Sequence, residues 1–199
     1  MNTTFDEKKF LGITRFMSVL SKILAILLII AMGGLVIGLV VISFLPSDVL
    51  TVDLGFIDGL TFSFMNIEFR MAVDLFDGDY AIKTALILSL IAALVSIAFV
   101  YYIIRLLHLI LVNVSNKKPF SESNVKYLFN MSYTFIIMSV TVPIFIYIAG
   151  RQVVNMLDID ASISYGISSG PLFIGILIWI LASIFQYGKY LQDEVDQTV

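Results

Sequence analysis

Four stretches without a single charged residue constrain this chain more than any other feature: Ile23–Leu45, Thr84–Ile104, Tyr127–Ala149 and Pro171–Tyr187. At 1.5 Å rise per residue, about 20 helical residues cross the roughly 30 Å hydrocarbon layer of a bilayer. Inside that layer every backbone amide needs a partner from its own segment, and a helix supplies one. The pattern therefore predicts an all-α integral membrane protein with four transmembrane helices. They fall at about 17–45, 84–114, 122–149 and 171–193 of a single membrane domain, 1–199, with outer segments at 46–82 and 150–170.

Composition narrows the chemistry. Apolar residues make up 59% of the chain and charged residues 14%, against roughly half and a quarter in a soluble domain. A net charge of −3, mixed in sign along the chain, gives no basic surface for nucleic acid, so no direct nucleic-acid binding is expected. The absence of cysteine excludes disulfides, thiolate metal sites and a cysteine nucleophile. One histidine, His108, is too few for a histidine-based metal site. The first apolar run exceeds the about 7–15 residues of a cleavable signal core, so it reads as an uncleaved anchor.

Charge then orients the chain. Lys8, Lys9, Arg15, Lys22, Arg105, Lys117, Lys118, Lys126 and Lys189 fall on one side of the expected spans, and Arg70, Lys83 and Arg151 on the other. Lys and Arg gather on the cytoplasmic side, which places both termini inside. Lys8, Arg15 and Lys22 also share one helical face, opposite Phe10, Ile13, Met17 and Leu20. Two readings fit that pattern: a helix lying along an anionic membrane surface, or an inward extension of the first span.

The outer segment 46–82 is too long for a tight turn. Val49–Ile57 and Leu60–Met71 are strand-like, and Asp58-Gly59 between them is a hairpin signal. A bulge near Met65–Asn66 reconciles the two alternating phases of the second run. Ser162–Ser168 has a weaker strand pattern, so a small extracytoplasmic β-hairpin cap is expected. Asp74, Asp77 and Asp79 around Gly78 miss the spacing of a calcium loop and read as a solvated turn. On the inner side, the second helix continues past Arg105 to Val114. Pro119-Phe120-Ser121 then breaks it, with Ser121 the N-cap of the next helix. These elements make a cytoplasmic helical hairpin.

Small and polar residues mark packing faces. Gly34 and Gly38, beside Gly33, have the spacing that lets helix backbones approach closely; contact within the bundle is the favoured reading, a homodimer seam the other. Ser89, Ala92, Ala93 and Ser96 give the second helix a similar face. Asn130, Thr134 and Thr141 on the third helix, and Trp179, Ser183, Gln186, Tyr187 and Tyr190 on the fourth, are expected to turn inward, away from lipid. Interhelical hydrogen bonding, with Tyr187 and Tyr190 as interface-anchoring aromatics, explains them better than a solute path, because no ionisable group lies mid-span. Tyr101, Arg105 and His108 share a face; Arg105 either snorkels to lipid phosphate or pairs with the acidic segment Asp193, Glu194 and Asp196. No catalytic motif is present.

Two stretches, Asn116–Leu128 and Ile184–Val199, contain the patterns PFS-x-x-N-V-x-x-L and G-x-x-L-Q-x-E-x-D-x-T-V. Together with four spans they resemble a bacterial membrane family catalogued as domain of unknown function 2975. The resemblance implies a multi-pass inner-membrane protein without assigned activity, and a link to a small helix-turn-helix regulator as partner. It carries over Pro119, Phe120, Ser121, Asn124, Gly188, Leu191, Glu194, Asp196 and Thr198. Both patterns are expected on the cytoplasmic side, where they should meet, with Asn124 able to bond across to the terminal segment.

The functional expectation is a non-enzymatic regulatory or partner-binding membrane protein, without cofactor or metal, whose partners are the bilayer and a cytoplasmic protein. A small transporter or channel subunit is the alternative class, and a toxin-immunity or stress protein the third.

Overall fold

The computed structural model describes residues 7–46, 51–53, 61–64, 67–70, 79–81, 83–156 and 165–198. Four long helices carry the chain: α1 (Glu7–Phe44), α2 (Lys83–Ser115), α3 (Glu122–Met156) and α4 (Ser169–Thr198). Each is long and apolar enough to cross a membrane. α1 starts ten residues earlier than the apolar pattern indicated and runs unbroken to Phe44, so the N-terminal amphipathic stretch is an extension of the span.

The chain divides into two compact units. One holds Met1–Ala31, Ile97–Met138 and Ser169–Val199; the other holds Met32–Ser96 and Ser139–Ser168.

The first unit is packed inside out relative to a soluble protein. Thr14, Ser18 and Ser21 are the buried face of α1, at i, i+4 and i+7, while Phe16 and Ile30 on its other faces are exposed. On α3 the interior is Asn124, Val125, Leu128, Met131, Ser132 and Thr134; on α4 it is Gly175 and Ala182. Hydrocarbon is as apolar as leucine, so large apolar side chains gain nothing by leaving it, and small or hydrogen-bonded residues take the helix contacts. The polar groups so enclosed are satisfied: among the described residues no buried side-chain nitrogen or oxygen lacks a partner.

In the second unit the first half of α2 buries Ala85 and Ala92, and α3 buries Val142, Ala149 and Val154. The Lys83 ammonium donates to the Leu45 carbonyl at 2.7 Å, a cation placed on the carbonyl-rich C-terminal end of α1. α3 passes through Pro143 without ending. Proline has no N–H to give to residue i−4, here Ser139. The amide of Ser168, just before α4, donates to that carbonyl at 2.9 Å.

Four short strands also belong to this unit: β1 (Thr51–Asp53), β2 (Thr61–Phe64), β3 (Ile67–Arg70) and β4 (Asp79–Ala81). The expected hairpin is corrected in its pairing. β1 does not pair with the following run but antiparallel with β4, Val52 opposite Tyr80. β2 and β3 pair across Met65-Asn66, with Phe64 opposite Ile67. The phase change read as a bulge thus falls between two paired strands, and Met65 and Asn66 themselves lie outside the described residues. Among the described residues β1 and β2 are not paired with each other, and no cap over the helices is supported; Asp58, Gly59, Asp74, Asp77 and Gly78 lie outside the described residues. The strand expected at Ser162–Ser168 is absent over residues 165–168, and the rest of it lies outside the described residues.

Candidate functional site

The two sequence patterns converge where the α2–α3 connection meets α4. α2 ends on a left-handed residue, Lys117, with φ of 61°. The Lys118 amide reaches back to the Asn113 carbonyl and the Lys117 amide to the Val114 carbonyl, both at 3.0 Å. That double bond pattern is a Schellman closure, which usually places glycine at the left-handed position. Pro119 and Phe120 follow, and Ser121 caps α3: its hydroxyl accepts from the Asn124 amide at 3.3 Å and its carbonyl from the Val125 amide at 3.2 Å.

Asn124 holds this turn together. It is completely buried. Its amide nitrogen donates to the Lys118 and Pro119 carbonyls at 3.1 and 2.9 Å, and its oxygen accepts from the Asn113 side chain at 2.8 Å. Those bonds correct the expectation that Asn124 reaches the terminal segment; it closes its own hairpin instead.

Phe120 makes the link to α4. Its ring lies 5.2 Å from that of Phe185, and a Cβ built on Gly188 would sit 3.3 Å from it. The glycine is therefore a seat for the ring. Leu191 and Glu194 are exposed on the following turns, and Asp196 and Thr198 lie in the final turns of α4. Farther along the same two helices, the Ser132 hydroxyl donates to the Gly175 carbonyl at 2.9 Å, and Phe129 meets Trp179 edge-on at 6.5 Å.

Arg105 is exposed, and the ion pair that Asp193 makes is with Lys189, one turn earlier on α4, so the Arg105–Asp193 pairing is not formed. His108 turns to α1. Its Nδ1 lies 3.0 Å from the Ser18 carbonyl, which can only accept, so Nδ1 carries the hydrogen; the Ser21 hydroxyl is 3.2 Å away. This tie was missed because nothing in spacing alone joins residues 87 positions apart. Thr14, Ser18 and Ser21 at helical spacing were the available signal.

The inward-facing polar sets also need correction. Thr134 is buried, its hydroxyl donating to the Asn130 carbonyl at 2.6 Å, but Asn130 itself is exposed. Trp179, Gln186, Tyr187 and Tyr190 face outward. Tyr187 and Tyr190 lie where the uncharged stretch of α4 ends, and aromatic rings with one polar atom are at home at a membrane–water boundary, as their anchoring role expects. The Gly34 and Gly38 face is likewise unpacked: a Cβ at Gly33, Gly34 or Gly38 would meet nothing within 4 Å. Among the described residues nothing packs closely against a Cβ at those glycines. Among the described residues no three of His, Asp and Glu are grouped so as to hold a metal ion.

Four apolar helices of membrane-crossing length, joined through small and hydrogen-bonded residues and lined outside by large apolar ones, define a multi-pass membrane protein of the helical-bundle class. Its hairpin turn and terminal helix carry the motifs described above. Residues 63–199 match the family model described as "Protein of unknown function (DUF2975)", and the chain belongs to that family. No curated protein and no solved structure matches it.

Proposed function

We propose that the chain is a non-enzymatic protein of the bacterial cytoplasmic membrane, with both termini inside, which binds and restrains a partner protein through the surface where the α2–α3 turn meets α4. One observation carries this reading: Phe120 seated on Gly188 and Phe185 joins the turn to the terminal helix as one platform. The platform bears Lys117, Lys118 and Lys126 on the hairpin side and Lys189, Asp193 and Glu194 on α4. Exposed charges of both signs on a fixed backbone suit selective, electrostatically steered recognition of a protein. The excess of Lys and Arg on the same side of the spans supports a cytoplasmic position. A small helix-turn-helix regulator is the partner that the family resemblance favours. The open Gly34 and Gly38 face supports a seam with a second copy of the chain.

Cross-linking in native membranes tests the platform. The expected result is a discrete adduct with a helix-turn-helix protein that disappears in the Lys117→Glu/Lys118→Glu variant. An adduct unchanged by the reversal, or solute flux through the purified protein in proteoliposomes, overturns the reading. Reporter fusions at each end check the sidedness, and a signal from opposite faces contradicts it.

A further inference from the structure

A groove of about 460 Å³ lies between the first turns of α3 and the last turns of α4, in the same compact unit as both. Its rim is Glu122 and Lys126 from α3 and Lys189 and Asp193 from α4, and Phe129 and Tyr190 line it beside them. Two cations and two carboxylates give it no net charge. Within each helix the signs are paired one turn apart: Lys126 with Glu122 at 2.8 Å, and Lys189 with Asp193.

The depth of the groove in the membrane follows from the sequence. Lys126 immediately precedes the uncharged stretch of α3 that begins at Tyr127, and Lys189 closely follows the uncharged stretch of α4 that ends at Tyr187. Both helices therefore change from charged to apolar at the groove itself. That is the level of lipid headgroups, where Tyr and Lys side chains collect. Phe129, which meets Trp179 edge-on, continues the lining toward the apolar side.

We propose that this groove binds the headgroup of a zwitterionic, amine-bearing phospholipid of the phosphatidylethanolamine type. Lys126 and Lys189 take the phosphate, Glu122 and Asp193 take the ammonium, and Phe129 lies along the start of an acyl chain. The charge pattern selects this class. An anionic headgroup would satisfy the two lysines and leave both carboxylates facing it, whereas a headgroup with one charge of each sign matches both pairs. A trimethylated headgroup matches in charge but has no N–H to donate to Glu122 and Asp193. The present ion pairs do not oppose binding. The Lys126 and Glu122 side chains are 71% and 75% exposed, and a pair at such exposure contributes little; Lys189 and Asp193 are half-buried, but both can turn to the ligand while remaining one turn apart. The volume falls within the usual range of small-ligand sites. This inference does not rest on the partner-binding reading, because either leaflet could supply the lipid.

Native mass spectrometry of the full chain released from nanodiscs tests it, with phosphatidylethanolamine, phosphatidylcholine and phosphatidylglycerol present in equal amounts. The expected result is one retained phosphatidylethanolamine, favoured about fivefold over each of the others, a difference of roughly 1 kcal/mol. Lys126→Gln/Lys189→Gln and Glu122→Gln/Asp193→Asn should each abolish the preference, and Lys126→Arg/Lys189→Arg should retain it. Unchanged Trp179 fluorescence establishes that a variant is folded; where one double variant fails that check, the single variants Lys126→Gln and Asp193→Asn give the same reading. Equal retention of the three lipids, a preference for phosphatidylglycerol, or a preference that survives the substitutions overturns the proposal. So does inorganic phosphate binding to the lipid-free protein in detergent as tightly as the phospholipid, since the source would then be soluble.

Discussion

The Ser168 amide donates to the Ser139 carbonyl at 2.9 Å, and that carbonyl is the one that would accept from residue 143 of its own helix, where Pro143 has no N–H to give. A proline in mid-helix is tolerated in a membrane when a neighbouring segment supplies the missing bond. Here the supplier is Ser168, the residue just before α4, so the defect in one helix is tied to the segment that leads into the next. Replacing Pro143 with alanine restores a helical donor, which then competes with Ser168 for the carbonyl. Pro143→Ala should leave α3 intact while the Ser168 amide exchanges with solvent about tenfold faster, equivalent to ~1.4 kcal/mol of lost local protection. Site-resolved hydrogen exchange reads this directly, and unchanged exchange at Ser168 would show that the proline has no part in placing α4.

Asn124 supplies the second prediction. Removing its side chain strands the Asn113 amide and the Lys118 and Pro119 carbonyls. Water can reach the Lys118 side of the turn, so not every group bears its full desolvation cost. Asn124→Ala should destabilise the protein by about 2–3 kcal/mol. Asn124→Asp should do no better at neutral pH, because a carboxylate accepts from Asn113 but repels the two carbonyls. Denaturant titration in mixed micelles measures both, and a loss for Asn124→Ala under ~0.5 kcal/mol would mean that the Schellman closure and the Ser121 cap hold the turn unaided.

The four helices and the turn between α2 and α3 are legible in the sequence because each has a local physical cause. An uncharged run of sufficient length has few alternatives in lipid, and Pro119 followed by Ser121 ends one helix and caps another. The packing is far less legible. Hydropathy separates inside from outside in water, but Phe16 and Ile30 face outward here while Ser18 and Ser132 are buried. The seam on α4 is Gly175 and Ala182, seven residues apart, whereas polarity drew attention to Trp179, Gln186 and Tyr190 on exposed faces. Strand pairing is similarly non-local: the Asp58-Gly59 signal is short-range, and the pairing of β1 with β4 joins residues nearly thirty positions apart. At the candidate site, Phe120 and Gly188 were both recognisable as motif members, but their contact required the fold.

Gly175 tests the close approach of α3 and α4. A Cβ there would sit 2.8 Å from Ile136 Cγ1, 3.1 Å from the Ser132 carbonyl and 3.2 Å from the Ile136 nitrogen. The isoleucine side chain can rotate away; the two backbone atoms cannot, and Ser132 also bonds to the Gly175 carbonyl. Gly175→Ala should therefore cost about 1–3 kcal/mol despite the better helix propensity of alanine. Gly170→Ala, where a Cβ meets nothing within 4 Å, is the matched control and should be neutral. Thermal unfolding of the two variants side by side distinguishes a steric seam from a general need for glycine in α4.

The Gly34 and Gly38 face gives the opposite expectation. A Cβ at either position meets nothing within 4 Å beyond its own helix, so Gly34→Leu and Gly38→Leu should leave the unfolding midpoint of the isolated chain unchanged or slightly raised. The same substitutions should disrupt a seam between two copies, because leucine holds the backbones apart where glycine lets them meet. Energy transfer between donor- and acceptor-labelled chains in vesicles measures this, with dilution by lipid as the control for crowding. The expected outcome is transfer that persists on dilution in the native sequence and falls to the random-mixing level in Gly34→Leu. Transfer that is already at that level in the native protein would mean that these glycines face lipid alone. Transfer that persists in both leucine variants would place the contact between copies on another helix.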